Sequence, residues 1–146
     1  MTTLDDAAHL GAKEQGLAVI STLRADHAIQ TSVVNAGVMR HPLVEQQRVL
    51  VFVTYGRVKL TNLRARPQVT ATFRSGWQWV AVEGCAQLIG PDDPHSEIDA
   101  ERLRLLLREA FAAAGGRHDN WAEYDRVMAE QRRTLVLIEP VRIYSN

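Results

Sequence analysis

The chain has 146 residues, in which 17 lysines and arginines balance 17 aspartates and glutamates. This length predicts one domain with its own hydrophobic core. Because the net charge is zero, we expect neither nucleic acid nor an anionic membrane as a partner, and any anion site has to be local. Cys85, the only cysteine, excludes an internal disulfide and is expected to be a buried small hydrophobic residue.

The N-terminal residues contain no basic segment followed by an apolar one, as a secretory signal would. No apolar run approaches the roughly 20 residues that a membrane-spanning helix needs. We therefore expect a soluble cytoplasmic protein.

Hydrophobic periodicity and turn residues predict helices and strands in a mixed order. They are a helix over 4–14, strands over 17–24, 29–39 and 48–54, a short helix that ends at Pro67, strands over 69–74 and 77–90, helices over 96–114 and 119–133, and a strand over 134–145. The nearly unbroken apolar run RVLVFVT is typical of a strand buried on both faces. Together they indicate a mainly β fold, an antiparallel barrel of about six strands with flanking helices. An open α+β sandwich is the alternative.

A basic stretch, TYGRVKLTNLRARPQ, follows the most apolar strand and contains four cations and no acid. The first N–H groups of a helix lack partners inside it and attract anions. Arg57 and Lys59 would not share a helix face, but in an extended segment leading into the helix they would point the same way. We therefore predict that they flank a phosphate, to which Thr61 and Asn62 could add hydrogen bonds. A solvated cationic helix face is the alternative, and the later cations, Arg64 and Arg66, are expected to be solvated.

Two strands carry further candidates for binding a flat ligand. Gln30, Ser32 and Asn35 could offer hydrogen bonds to a planar heterocycle, or they could belong to an exposed strand face. Trp77 and Trp79 share a strand face and could stack on the same ring, or they could pack against outer helices. The five histidines show no metal-ligand spacing, so no metal site is expected. No catalytic acid–base pair can be assigned.

Three segments in order resemble the split β-barrel flavin and deazaflavin oxidoreductases, the pyridoxamine 5′-phosphate oxidase-like superfamily. They are LAVISTLRADHAIQTSVV, VLVFVTYGRVKLTNLRARPQVTATF and GWQWVAVEGCAQL. The tail GGRHDNWAEYDRVMAEQRRTLVLIEPVRIYS is similar to the actinobacterial branch that uses coenzyme F420. The most specific parts are R-x-K-x-x-N-L with its following proline, and W-x-x-Y followed by two arginines.

The resemblance implies a homodimer of six-stranded split barrels, with two cofactor clefts at the subunit interface. It implies that Arg57 and Lys59 bind the cofactor phosphate, and that residues 30–34 and 51–54 face the ring. Arg132 or Arg133 of the partner subunit would lie near the phosphate or an anionic tail. The cofactor-binding candidates are then Gln30, Ser32, Val33, Val34, Val53, Thr54, Arg57, Lys59, Asn62, Trp79, Arg132 and Arg133.

The same resemblance implies an F420-dependent oxidoreductase. It would transfer a hydride between C5 of the deazaflavin and a small electron-poor organic substrate, with the cofactor carrying the reaction. The alternatives are an FMN-binding enzyme of the same fold and a non-catalytic module that binds F420 or a flavin. One position departs from the expected pattern, because Val33 follows Ser32 where a polar residue, often Asn, is expected.

Overall fold

The computed structural model describes residues 1–146 and contains six strands and four helices. The strands are β1 (Leu17–Leu23), β2 (Ile29–Arg40), β3 (Arg48–Thr54), β4 (Gln68–Ser75), β5 (Gln78–Ile89) and β6 (Thr134–Ser145). The helices are α1 (Leu4–Ala12), α2 (Arg57–Ala65), α3 (Ala100–Ala113) and α4 (Trp121–Glu130). The predicted order of elements is confirmed, and the largest difference is that α3 begins four residues later than expected, after its N-cap Asp99.

The strands form a closed antiparallel barrel in the order β1-β2-β3-β6-β5-β4. Closure comes from β4, which pairs with β5 on one side and with β1 on the other. The predicted barrel is therefore confirmed, and the open sandwich is excluded. Pairing of β6 with β3 ends at Ile138, so Pro140 lies where β6 has only β5 as a neighbour. A proline is tolerated there because its missing N–H would face a free edge.

Strand β3 is buried on both faces, as its sequence predicted. Leu50 and Phe52 belong to the core inside the barrel, whereas Val49 and Val51 belong to a second core outside it. Helix α1 adds apolar side chains to the inner core, and α3 covers the outer one. The five consecutive apolar side chains of β3, from Val49 to Val53, therefore match two cores on opposite faces of one strand.

Helix α3 packs closely on β2 because β2 has a glycine at the contact. A Cβ atom at Gly37 would lie 2.2 Å from the backbone oxygen of Ala113, the last residue of α3. Helix α4 is held against α3 by Tyr124, whose hydroxyl donates to the Leu107 carbonyl at 2.8 Å, and by ion pairs from Asp125. The α3–α4 pair is thereby fixed over the outer face of β2 and β3.

One part of the outer surface of β1 and β2 has no helix over it. Leu17, Val19, Ile29 and Val33 are exposed there, and Val19 and Val33 pair directly across the two strands. We call these four residues the exposed apolar face. None of the helices is long and apolar enough to cross a membrane.

Candidate functional site

A cavity of about 660 Å³ lies between the middle of β2, the C-terminal end of β3 and the α3–α4 pair. Its walls are mostly apolar, with Val33, Val34 and Val53 on the barrel side and Phe111, Val127 and Met128 on the helical side. Its polar lining consists of Asn35, Thr54, Tyr55, Lys59, His118, Glu123, Tyr124 and Arg133. This volume lies within the range of about 300–1,000 Å³ that is usual for small-molecule and cofactor sites.

Lys59 is the most unusual residue of the cavity, because it is a buried cation without an acidic partner. Its side chain is 6% exposed, and its Nζ donates only to Thr54 Oγ1, at 3.3 Å. The ammonium also lies 5.6 Å from the centre of the Phe52 ring. Burial, followed by repulsion from Arg133, lowers the pKa of Lys59 below its ordinary value. A lysine is rarely buried in this way unless an anion compensates its charge.

Arg133 supplies a second cation to the same cavity. Its guanidinium lies 4.1 Å from the centre of the Tyr55 ring, and its Nε donates to Gln131 Oε1 at 2.8 Å. It forms no ion pair with a carboxylate, and burial lowers the pKa of this guanidinium. The one acid of the lining, Glu123, is more than half exposed and pairs with Arg126. Two cations therefore face the cavity uncompensated.

The N-terminus of α2 adds to this positive potential. Its N-cap, Gly56, lines the cavity and has no side chain to accept from the first helical N–H groups. The first turn of α2 contains no acidic residue. Thr54 Oγ1 accepts from the Gly56 N–H at 3.1 Å and from Lys59, so it fixes both at the start of the helix. Lys59, Arg133 and this helix end together give this side of the cavity a positive potential that would attract an anion.

Arg57 lies apart from Lys59. The expected extended segment is wrong, because α2 begins at Arg57 and both residues belong to its first turn. Residues two apart lie on different helix faces, and Arg57 instead borders a second, open cavity of about 480 Å³. We call this the arginine groove, since Arg24, Arg57 and Arg66 line it together with a single acid, Asp26. The role of Arg57 in phosphate binding stays a prediction.

Asn62 is engaged within the protein. Its Nδ2 donates to Thr22 Oγ1 at 3.0 Å, and Thr22 in turn donates to Gln30 Oε1 at 2.7 Å. Arg66 donates from its Nε to the Leu23 carbonyl at 2.8 Å. This buried chain of hydrogen bonds fastens α2 to β1 and β2. Asn62 and Gln30 therefore hold the helix that presents Lys59, and neither borders the cavity that Lys59 lines.

The other predicted residues divide between the cavity and distant places. Val33, Val34, Val53 and Thr54 line the cavity, and that they face a cofactor ring stays a prediction. Ser32 does not, and its buried hydroxyl has no partner. Trp79 packs edge-on against Tyr144 at a separate groove, and Arg132 pairs with Asp92 at 2.6 Å on the surface. Arg64, expected to be solvated, is instead paired with Asp93 at 2.7 Å.

Several residues of the cavity were not predicted from the sequence. Tyr55 lies beside Gly56 in the basic stretch. Its position as an aromatic residue between a strand and a helix is the sequence feature that could have indicated a place in the site. His118 and Tyr124 lie in the tail segment, and Tyr124 is the tyrosine of the W-x-x-Y motif there. Tyr124 is structural, because its hydroxyl is bonded to a carbonyl and burial raises its pKa to about 12.

The fold and this site define a split-barrel protein with an outer cavity suited to an anionic ligand. The pyridoxamine 5′-phosphate oxidase family matches residues 4–146 of the chain, and the chain belongs to that family. The resemblance read from the sequence is thus confirmed at the level of the superfamily.

Three solved structures illustrate the likeness. A conserved hypothetical protein from Mycobacterium tuberculosis is 16% identical with a TM-score of 0.68, and the match covers 99% of this chain and 84% of that one. An F420 reductase is 16% identical with a TM-score of 0.57, and 88% of each chain is covered. A pyridoxamine 5′-phosphate oxidase-related, FMN-binding protein from Nostoc punctiforme is 14% identical with a TM-score of 0.61, covering 99% and 86%. At these identities the likeness extends to the fold.

Proposed function

We propose that the protein is an F420-dependent oxidoreductase that transfers a hydride between C5 of the deazaflavin and a small electron-poor organic substrate. The observation that carries the proposal is the pair of cations, Lys59 and Arg133, that face one cavity without an acidic partner. A phosphate supplies the missing negative charge. The apolar walls of the cavity suit a flat ring attached to that phosphate.

The residues of the cavity support separate roles for the cofactor and the protein. The deazaflavin would supply the hydride chemistry, while the protein binds, orients and shields it. Lys59, Arg133 and the start of α2 would hold the anionic group, and Thr54 would keep Lys59 in place. Val33, Val53 and the apolar side of the α3–α4 pair would exclude water from the ring. No acid–base side chain is required for the hydride step itself.

The arginine groove favours F420 over FMN. F420 has an anionic tail beyond its phosphate, whereas FMN has a phosphate alone. Arg24 and Arg57 line the groove without any ion pair, on the other side of the α2 first turn from Lys59. FMN is the second candidate, because the cavity cations alone would match its single phosphate. The cytoplasmic location stays a prediction.

We further infer that two copies associate through the exposed apolar face. Leu17, Val19, Ile29 and Val33 would leave water on association, and Val33 also lines the cavity. The cofactor cleft would then be completed at the interface.

The mass in solution tests this association. One chain has a mass of 16.3 kDa, and light scattering of the wild type should give twice that value. Val19→Asp should give the mass of a single chain. Val44→Asp, in a loop outside this face, should keep the mass of two chains. An unchanged mass for Val19→Asp would place the interface elsewhere.

Titration with F420 and, separately, with FMN tests the proposed cofactor. Fluorescence should report saturable F420 binding that is at least tenfold tighter than FMN binding. Tight FMN binding without F420 binding would establish the second candidate instead. Binding of F420 without turnover across a panel of enones and quinones would indicate a binding module without catalysis.

A further inference from the structure

We propose that His118 donates a hydrogen bond from its Nε2–H to a carbonyl oxygen of the planar heterocycle bound in the cavity. The inference rests on the proposed function and assigns a selective role to a residue outside the anion-binding pair. His118 lines the same cavity as Lys59, but it comes from the segment between α3 and α4. It would therefore contact the ring of the ligand, whereas the cations bind its anionic group.

The tautomer of His118 is set by the backbone. Its Nδ1 accepts a hydrogen bond from the Asn120 N–H at 3.0 Å. A nitrogen that accepts such a bond carries no proton, so the neutral ring has its proton on Nε2. That nitrogen has no partner within the chain and is not enclosed. It is therefore a free donor on a residue that borders the cavity.

The orientation of the ring is also fixed. Phe111, Trp121 and Tyr124 surround it with ring centroids 5.7–6.3 Å away. Phe111 and Tyr124 line the cavity as well, so a flat ligand there would meet aromatic faces beside the Nε2 donor. A donor held by three rings and one backbone bond is preorganised, which lowers the entropic cost of using it.

Two other histidines make the same local bond and show what distinguishes His118. His41 Nδ1 accepts from the Leu43 N–H, and its Nε2 meets Gln87 Oε1 at 3.1 Å. His95 Nδ1 accepts from the Glu97 N–H in the same way. Neither lines the cavity. The three residues thus share one tautomer, and His118 alone among them combines it with a place in the site.

The test combines ligand titration with nitrogen NMR of the histidine rings. His118→Phe keeps an aromatic ring but removes the donor, and it should weaken F420 binding about tenfold. His118→Gln places an amide donor close to the position of Nε2 and should stay within about threefold of the wild type. In the wild type, the Nε2–H signal of His118 should move when F420 is added, while those of His41 and His95 stay.

The results separate this inference from the proposed function. If the wild type binds F420 and His118→Phe binds it equally well, the hydrogen bond is refuted while the function stands. A proton on Nδ1 of His118 in the complex would refute it too, without any variant. If the wild type binds neither F420 nor FMN, the proposed function fails and this inference falls with it.

Discussion

Replacing Lys59 with methionine should separate ligand binding from protein stability. Methionine keeps the unbranched shape and the helix propensity of lysine, so α2 should form as before. The change removes an ammonium group that is 6% exposed and whose only hydrogen-bond partner is a hydroxyl. We expect the variant to bind its ligand more weakly, and we expect the ligand-free protein to become more stable.

Binding should weaken strongly. A hydrogen bond to a charged group contributes about 1.5–3 kcal/mol, which corresponds to roughly 10- to 150-fold in the dissociation constant. The stability of the free protein should not fall. The variant loses one long bond to Thr54, but it also loses the cost of an uncompensated buried charge, so we expect a gain of about 1 kcal/mol. Such a gain would raise the melting temperature by roughly 2–4 °C.

The pH dependence gives an independent check of the same reasoning. Burial and Arg133 lower the pKa of Lys59 in the folded protein below the value of 10.5 expected when it is unfolded. Between the folded pKa and 10.5 the unfolded chain binds more protons, so the wild type should gain stability as pH rises through that window. Below it both states are protonated and the penalty is constant. Lys59→Met should lack this rise.

Urea unfolding with and without F420 measures both effects, and the chain provides its own control. Lys13, the only other lysine, is exposed on the C-terminal side of α1, so Lys13→Met should change neither affinity nor stability. A Lys59→Met protein that is clearly less stable without ligand would show that the charge is compensated internally. Equal F420 affinity of variant and wild type would remove Lys59 from the site.

Three further substitutions test the supports of the site. Asn62→Ala should lower the unfolding free energy in urea by about 1 kcal/mol, because it removes the buried hydrogen bond that Asn62 donates to the Thr22 hydroxyl, whereas Thr61→Ala on the exposed side of α2 should not. Arg133→Gln should weaken F420 binding at least tenfold in the fluorescence titration, and Arg132→Gln should leave it unchanged because that arginine pairs on the surface. Gly37→Ala should lower the melting temperature, since its methyl group would meet the end of α3.

The fold could be read from the sequence because its signals are local. The apolar run of β3 predicts two buried faces, and the structure has a core on each side of it. The tail segment predicts a helix over 119–133, and the structure has α4 there, after its N-cap Asn120. Whether a strand residue is buried or exposed was harder to predict, because it depends on which face of the barrel the residue occupies. Cys85 looked buried by composition, but it pairs with Gln68 on the outer face and is exposed.

The site was harder to predict because it depends on where helices begin and on which side of the barrel each residue faces. Starting α2 at Arg57 instead of later sends Arg57 and Lys59 to different cavities. Trp79 lies on a strand whose position in the barrel order puts it away from the cavity. Such facts follow from register and strand order, which a pattern of residue types does not contain.

Strand order also explains why two separate motifs form one site. β3 and β6 are neighbours in the barrel, and their antiparallel ladder ends with the pair Thr54 and Thr134. The residue that leaves β3 after this pair is Tyr55, and the residue that precedes β6 is Arg133, so the two must lie side by side. They do, with the guanidinium 4.1 Å from the ring centre. A single strand pairing therefore brings the arginine of the tail segment to the lysine of the basic stretch, within one subunit.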